Sequence, residues 1–458
     1  MDFFMNKQKQ PNIIWIFSDQ QPAYTLGCNG DPNSNTPNLD LMAGTGWNFN
    51  KAVSGFPICC PFRGALISGK YPHKCVPGHE YRLSPELPTV ADAFNDAGYE
   101  TAYFGKWHLA GFKESEGRVA KKIIPKECRG RFDTWLAYEN NNQQYDTWFH
   151  GHDRSGKEVP LTRLPGYETD KLTDLLLDFI ESQSCGNPDK PFFSVLSVQP
   201  PHNPYEAPPE YLAKYKHSEI KLRPNVIHNE KIRAEIKQNL AGVYAMIENI
   251  DHNVGRVRNL LREKGIDQDT YIIFFSDHGD MHGSHGQFQK TIPYEESIRV
   301  PFIISGGDHY RYFDHRHESR QDALINHVDI APTSLGLCGI EVPEWMEGCD
   351  YSSCITGRKA VQDEPREAYL QNVIPTGHPH SCDAPYRGIV TRDGWKYVCT
   401  EASEWLLFNL NEDPYEERNL AMTTTALSKR HELHAKLQNW IDKTKDNFSL
   451  PPVYEYPG

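Results

Sequence analysis

The chain lacks any apolar run near the roughly 18–20 residues that a bilayer-spanning helix needs, so no membrane segment is expected. Positive charge is also scarce. Lys and Arg number 48 against 61 Asp and Glu, a formal net charge of −13. A general nucleic-acid binder is ordinarily basic, so the bulk charge argues against that class and no nucleic-acid partner is expected. A small anion in a locally positive pocket remains compatible with this balance. The eleven cysteines are an odd number and form no C-x-x-C pair or regular spacing. This fits neither a disulfide framework nor a structural zinc site, and most of the thiols are expected to be small buried hydrophobes. The first ten residues lack the charged start, apolar stretch and cleavage site of a signal peptide. A cytoplasmic location is expected for a full-length chain, and a periplasmic or secreted one if a signal was trimmed. No internal repeat or low-complexity segment is evident.

What is present is material for a large core: 458 residues, 38% hydrophobic and 12% aromatic. Asn12–Ser18 (NIIWIFS) is a continuous β-branched and aromatic run, as expected of a strand buried on both faces of a parallel sheet. Phe192–Val198, Tyr271–Phe275 and Val300–Ser305 read alike. Helical patterns lie between them, at Val90–Ala97 with Gly98 as its stop, at Leu172–Ile180 and at Ile232–Lys264. The fold class is therefore α/β, with helices covering a large, mostly parallel sheet. From about residue 356 the texture changes. Arg387–Val398 alternates around Asp-Gly, a hairpin signal, Trp405–Leu410 is a further strand, and Leu427–Thr444 is an amphipathic helix. The expected organisation is a larger α/β domain over 1–355 and a smaller α+β subdomain over 356–458. Gly111–Glu158 and Asp308–Gln321 read as long loops that shape a site.

Several strand ends carry chemistry. Asp19 and Gln20 follow the first strand, and Asp277 and His278 follow Tyr271–Ser276. Ligands of open α/β sheets gather at such ends, and two aspartates arriving from separate strands can hold a hard cation. Each alone could equally cap a helix. In Pro57-Ile58-Cys59-Cys60-Pro61-Phe62-Arg63, a thiol precedes a helical pattern and an arginine. A cysteine at a helix N-terminus beside a guanidinium is reactive, while a packed cysteine pair with a surface arginine remains the open alternative. Lys106 and His108 leave a strand two residues apart, offering a fixed cation and a proton carrier. His202 sits in a proline-stiffened loop, Gln199-Pro200-Pro201-His202-Asn203-Pro204-Tyr205, and Lys290 ends a glycine-rich stretch that begins at Ser276.

Together these segments resemble the type I sulfatase family, within the alkaline-phosphatase-like superfamily. Cys59, Pro61 and Arg63 match C-x-P-x-R. Gly98-Tyr99-Glu100-Thr101 and Gly105-Lys106-Trp107-His108 match the second signature, and Asp277-His278-Gly279 onward matches the D-H-G…K pattern. Leu406–Leu420 is similar to the C-terminal D-P-x-E-x-x-N-L segment. The resemblance implies an alkaline-phosphatase-like α/β/α sandwich and a bacterial enzyme acting on sulfated carbohydrate. It implies that Cys59 is oxidised to formylglycine by a formylglycine-generating or anaerobic maturation enzyme. It also implies a divalent cation, Ca²⁺ or alternatively Mn²⁺ or Mg²⁺, at Asp19, Gln20, Cys59, Asp277 and His278. Gln20 stands where many members carry a second aspartate. In the implied mechanism a hydroxyl of the hydrated aldehyde attacks sulfur, and Arg63, Lys106, Lys290 and the cation stabilise the sulfate oxygens. His202 protonates the leaving alcohol, and His108 takes the proton that lets sulfate depart.

His79, Arg82, His282, His378 and His380 are further expected substrate contacts, and Trp135, Tyr138, Tyr145 and Trp148 either stack on sugars or anchor their loop. A phosphonate or phosphate diester hydrolase of the same superfamily and a catalytically silent glycan-binding protein are the alternatives. The tryptic peptide Ala52–Arg63, which holds both Cys59 and Cys60, separates them. Its mass should show an aldehyde or its hydrate at Cys59; two intact thiols in protein from the native organism would favour the silent binder.

Overall fold

The period-two alternation of the first strand organises the molecule. In the computed structural model, Ile13, Trp15 and Phe17 face one helical layer while Ile14 and Ile16 face the other. The structure describes residues 10–186, 188–306, 322–356, 364–378 and 382–455. Its first elements are β1 (Asn12–Ser18), α1 (Pro37–Thr45), β2 (Trp47–Asn48), α2 (Cys59–Ser68), α3 (Val90–Asp96), β3 (Glu100–Lys106), β4 (Thr134–Tyr138), β5 (Thr147–His152), β6 (Glu158–Leu164) and α4 (Glu168–Gly186). Then come β7 (Phe192–Ser197), α5 (Pro209–Leu212), α6 (Glu230–Glu263), β8 (Thr270–Ser276), α7 (Glu295–Ile298), β9 (Phe302–Gly306), α8 (Ile330–Leu337) and α9 (Ser352–Thr356). The last are β10 (Glu367–Asn372), β11 (Tyr386–Thr391), β12 (Trp395–Cys399), β13 (Glu404–Asn409) and α10 (Leu427–Thr444).

Among the described residues, nine strands form one sheet in the order β2-β9-β8-β1-β7-β3-β4-β5-β6. The middle strands β8, β1, β7, β3 and β4 are parallel. Their carboxyl ends therefore point the same way and gather whatever residues follow them. α2, α3 and α8 cover one face through Phe62, Leu66, Phe94 and Leu335. α1, α4 and α6 cover the other through Leu39, Leu176, Ile247 and Val254. Each fully buried side chain of this kind stabilises by about 1.5–3 kcal/mol, so the core, rather than surface ion pairs, holds the layers. Local signals agree with the helix starts. Thr89 and Asp92 form a capping box before α3, and the Asn229 side chain accepts the Ile232 N–H at the start of α6.

Two expectations change. The strand expected at Val300–Ser305 is Phe302–Gly306 and pairs antiparallel with β8, so the sheet is mixed at its edges. The expected loop Gly111–Glu158 contributes β4 and β5 to the sheet and leads into β6. Trp135 and Tyr138 of that stretch are fully buried and so anchor it to the core, whereas Tyr145 stays exposed and Lys121 caps a half-buried Trp148. The expected loop Asp308–Gln321 lies outside the described residues, apart from its neighbours.

The four strands β10-β11-β12-β13 form an antiparallel sheet. One face packs on α10 through Tyr369, Tyr397, Leu407, Leu433 and Trp440. The other meets Val53, Ile298 and Leu324 of the larger layer through Leu370, Tyr386 and Phe408. A buried ammonium crosses this boundary, with Lys396 Nζ at 2.6 Å from Glu416 and 2.8 Å from Glu295.

Gly105 shows how closely the site strand is packed. Its φ is 101°, and a Cβ there would lie 2.0 Å from the Ser197 carbonyl oxygen on β7. Neither backbone can yield without breaking the pairing that presents Lys106. Gly105→Ala should therefore destabilise by at least about 2 kcal/mol, read as a lower urea midpoint. An unchanged midpoint would contradict this packing.

Candidate active site

The parallel register places Ser18 directly beside Ser276, so Asp19 and Asp277 leave adjacent strands side by side. The Asp277 carboxylate then accepts the N–H groups of Gln20 and His278, each at 2.9 Å. α2 begins on this spot. Cys59 Sγ lies 3.2 Å from His278 Nε2, 3.3 Å from Lys290 Nζ and 3.6 Å from Asp19 Oδ1. Arg63 is one helical turn further along α2 and shares that face. Its Nη2 donates to Asp19 at 2.9 Å and reaches Asp277 at 3.4 Å, while its Nη1 donates to the Lys106 carbonyl and Ser197 Oγ, each at 2.8 Å. The Phe17 ring lies beneath the guanidinium. Lys106 Nζ sits 2.7 Å from Asp19 Oδ2. Asp19, Gln20, Cys59, Arg63, Lys106, His108, Asp277, His278 and Lys290 are no more than 2% exposed, and His202 is 8% exposed.

Two histidines have legible tautomers. His278 Nδ1–H donates to the Gly279 carbonyl at 2.9 Å, which leaves the Nε2 lone pair facing Cys59 and both carboxylates. His202 Nδ1–H donates to the Asn203 carbonyl at 2.7 Å, so its Nε2 accepts from Lys290 Nζ at 3.2 Å. Lys290 also donates to Gln20 Oε1 at 3.0 Å. The Gln20 amide is oriented from behind, since its Nε2 donates to Asp280 at 2.6 Å. His108 follows β3 with φ 57°, and neither of its ring nitrogens has a hydrogen-bond partner although both are buried. Glu139 accepts the N–H groups of Ala110 and Gly111 and so ties down the His108 loop. Left-handed backbone occurs within the site at Gln20 and His108, and at Gln289 and Thr291 on either side of Lys290.

The electrostatics follow from burial. Burial opposes ionisation of Asp19, but Lys106, then His202, Arg63 and Lys290, hold its carboxyl well below the usual range. Asp277 moves the other way. Burial and then the Asp19 charge push it up to about 7. Burial, then Lys106 and His79, press His108 well below its ordinary value, so the ring is neutral at pH 7. Burial and the neighbouring lysines press His79 down to about 3.

Asp19, Cys59, Asp277 and His278 offer ligand atoms that all lie within 4.8 Å of one another. Two carboxylates, one outward imidazole lone pair and the oriented Gln20 oxygen suit an oxygen-preferring divalent cation, so these residues fit the group the sequence resemblance implies. All the expected catalytic residues converge here. Of the further candidates, His79 packs edge-on between the His108 and His378 rings, at 5.6 and 5.2 Å. Arg82 is exposed beside Gly111. His282 lies 3.5 Å from Asp280 and lines a pocket of about 390 Å³ with Tyr24, Arg223 and Tyr244. His380 lies outside the described residues. Sequence reasoning missed Asp280, Ser197 and Glu139 as positioning groups. Asp280 was within the motif read; Ser197 and Glu139 carried no local signal.

Strand-end carboxylates, a helix-borne Cys59 and three buried cations define a hydrolase of the alkaline-phosphatase-like type. The family model described as Sulfatase matches residues 11–340, and the one described as N-sulphoglucosamine sulphohydrolase, C-terminal, matches 283–443. An ulvan-active sulfatase of Formosa agariphila is 34% identical, over 97% of this chain and 84% of its own. An endo-4-O-sulfatase of Bacteroides thetaiotaomicron is 29% identical, over 90% of this chain and 88% of its own. The crystal structure of the sulfatase yidJ from Bacteroides fragilis superposes with a TM-score of 0.83 at 28% identity, covering 97% of this chain and 98% of that one. The chain belongs to the sulfatase family and is a sulfuric ester hydrolase.

The raised Asp277 has a pH consequence. Its folded-state pKa of about 7 exceeds the unfolded value, so its contribution to the metal-free fold is present at low pH and lost as pH rises through about 7. A cation reverses this by needing the ionised carboxylate. The gain in melting temperature on adding Ca²⁺ to chelator-treated protein should be larger near about pH 8 than near about pH 5.5. That increment isolates the site, because burial also pushes Glu139 and Asp329 up to about 7. An increment independent of pH would count against Asp277 as a ligand.

Proposed function

We propose that the protein releases inorganic sulfate from a sulfated carbohydrate, with position 59 matured to formylglycine and a divalent cation, Ca²⁺ ahead of Mn²⁺ or Mg²⁺, held by Asp19, Gln20, Asp277, His278 and residue 59. One observation carries the reading. Around Cys59, three buried cations, Arg63, Lys106 and Lys290, face two buried carboxylates, Asp19 and Asp277. With Asp277 pushed up to about 7, the two carboxylates do not offset the three cations, so the balance is positive before any metal is counted. Unpaired buried charge is costly, so the site is complementary to an anion that closes it. Bound there, the aldehyde hydrate would supply an oxygen nucleophile and the cation would polarise it and a sulfate oxygen.

The chain's own residues do the rest. Lys106 and Lys290 meet the charge that develops on the sulfate oxygens, from fixed positions that need no reorganisation. Arg63 holds Asp19 and carries the same charge across the base of the pocket. His202 Nε2 accepts the hydrogen bond of Lys290 Nζ, and this contact is the route by which a proton reaches the departing alcohol. His108, neutral and without a hydrogen-bond partner on either ring nitrogen, is the base for a proton leaving position 59. Conversion of Cys59 requires a formylglycine-generating or anaerobic maturation enzyme as partner.

The carbohydrate assignment rests on relatives named an ulvan-active sulfatase and an endo-4-O-sulfatase. The exposed Tyr145 and the half-buried His79 and His378 are suited to sugar contact. We assign residues 1–355 to the catalytic domain and 356–458 to a subdomain that completes the pocket, supported by the approach of His378 to His79. The neutral Gln20 in place of a carboxylate is the one feature favouring a phosphodiester or phosphonate substrate, and a preference for such a substrate over sulfate esters would replace this reading. Cys59→Ala should lower turnover by at least about 10³-fold with little change in substrate binding. The measurement is sulfate release from sulfated oligosaccharides beside binding of the same ligands. Equal loss in both would remove position 59 from the chemistry.

A further inference from the structure

α2 opens with two cysteines, and each faces a different set of ligands. Cys59 faces the carboxylates. Cys60 is about 100° further around the helix and faces His79 and His108. Cys60 Sγ lies 3.9 Å from His79 Nδ1 and accepts the Glu80 N–H at 3.3 Å. The His79 and His108 rings meet edge to face, with centroids 5.6 Å apart. Ligand atoms of Cys60, His79 and His108 all lie within 4.8 Å of one another. A tetrahedral zinc ion needs S–N and N–N separations of about 3.6 and about 3.3 Å, so side-chain shifts of about 1 Å or less assemble three ligands. Both ring nitrogens of His108 are buried without a hydrogen-bond partner, which costs free energy until something occupies them.

We propose that Cys60, His79 and His108 form a second, inhibitory metal site for a thiophilic ion such as Zn²⁺. The donor set decides the ion. One thiolate and two imidazoles select Zn²⁺ or Cu⁺ and offer nothing to Ca²⁺, whereas the two carboxylates beside position 59 favour the harder ion. On binding, the S–H bond of Cys60 breaks, an S–Zn bond forms, and the proton passes to solvent. No electron moves. Thiolate formation offsets one of the two charges of the ion, which moderates its repulsion by Lys106. Binding occupies the His108 lone pair, so the same imidazole cannot accept a proton from position 59. This inhibitory consequence rests on the role given to His108 above; the binding itself does not.

The test separates the two. Co²⁺ is titrated into the Ca²⁺-replete Cys59→Ala protein, in which residue 59 carries no thiol. A thiolate-to-cobalt charge-transfer band should saturate at one equivalent. It should vanish when Cys60→Ser is added and weaken with His79→Gln, a change at a half-buried loop residue that serves if the helix variant folds poorly. A band that survives both changes, or that never forms in the Cys59→Ala protein, overturns the site. In the matured enzyme, Zn²⁺ should inhibit sulfate release reversibly. Cys60→Ser should leave zinc-free turnover unchanged and raise the half-inhibitory zinc concentration at least about tenfold. Zinc inhibition indifferent to Cys60→Ser overturns the inhibitory role. A Cys60-dependent band with zinc-insensitive turnover supports the site and overturns instead the reading of His108 as base.

Discussion

The carboxylate of Asp19 is the point on which the site depends. It is fully buried, and it pairs with Arg63 from α2 and Lys106 from β3. Removing one partner of such a group strands an uncompensated charge in a low-dielectric interior, at a cost of about 3–5 kcal/mol. The ion cluster therefore ties β1, α2 and β3 together at their functional ends. It also acts on Asp277, whose carboxyl rises through burial and then through the Asp19 charge beside it.

The sheet makes this concentration of charge possible. Parallel strands deliver their carboxyl-end residues to one edge, and apolar layers on both faces exclude water from it. Low dielectric makes each cation more effective on a bound oxyanion and each unpaired group more costly. The site accordingly holds an excess of positive charge that a sulfate ester can neutralise, inside a chain whose overall charge is −13. A chain of positioning contacts surrounds it. Asp280 orients Gln20, Ser197 holds Arg63, and Glu139 holds the loop bearing His108.

Adjacent positions on α2 divide two chemistries. The helical twist sends Cys59 toward His278, Lys290 and Asp19 and Cys60 toward His79, so the neighbouring thiols face different donor sets. His108 stands between the two sets, close enough to Cys60 to be captured and neutral enough to serve as a base.

Much of this was legible along the chain. β1 coincides with its apolar run, α10 with its amphipathic pattern, and the segments holding Asp19, Cys59, Lys106, His202, Asp277 and Lys290 each carried a local signature, because strand ends, helix starts and stiffened loops are written in neighbouring residues. The direction of β9 and the strand character of 134–152 were not legible, since pairing partners far apart in sequence decide them. The same holds for Ser197 beneath Arg63 and for Cys60 beside His79 and His108. By itself the sequence determined which residues are available at the ends of which elements. Only the tertiary structure decided their neighbours, because charge, hydrogen bonding and ligand distance depend on separations through space that local periodicity does not contain.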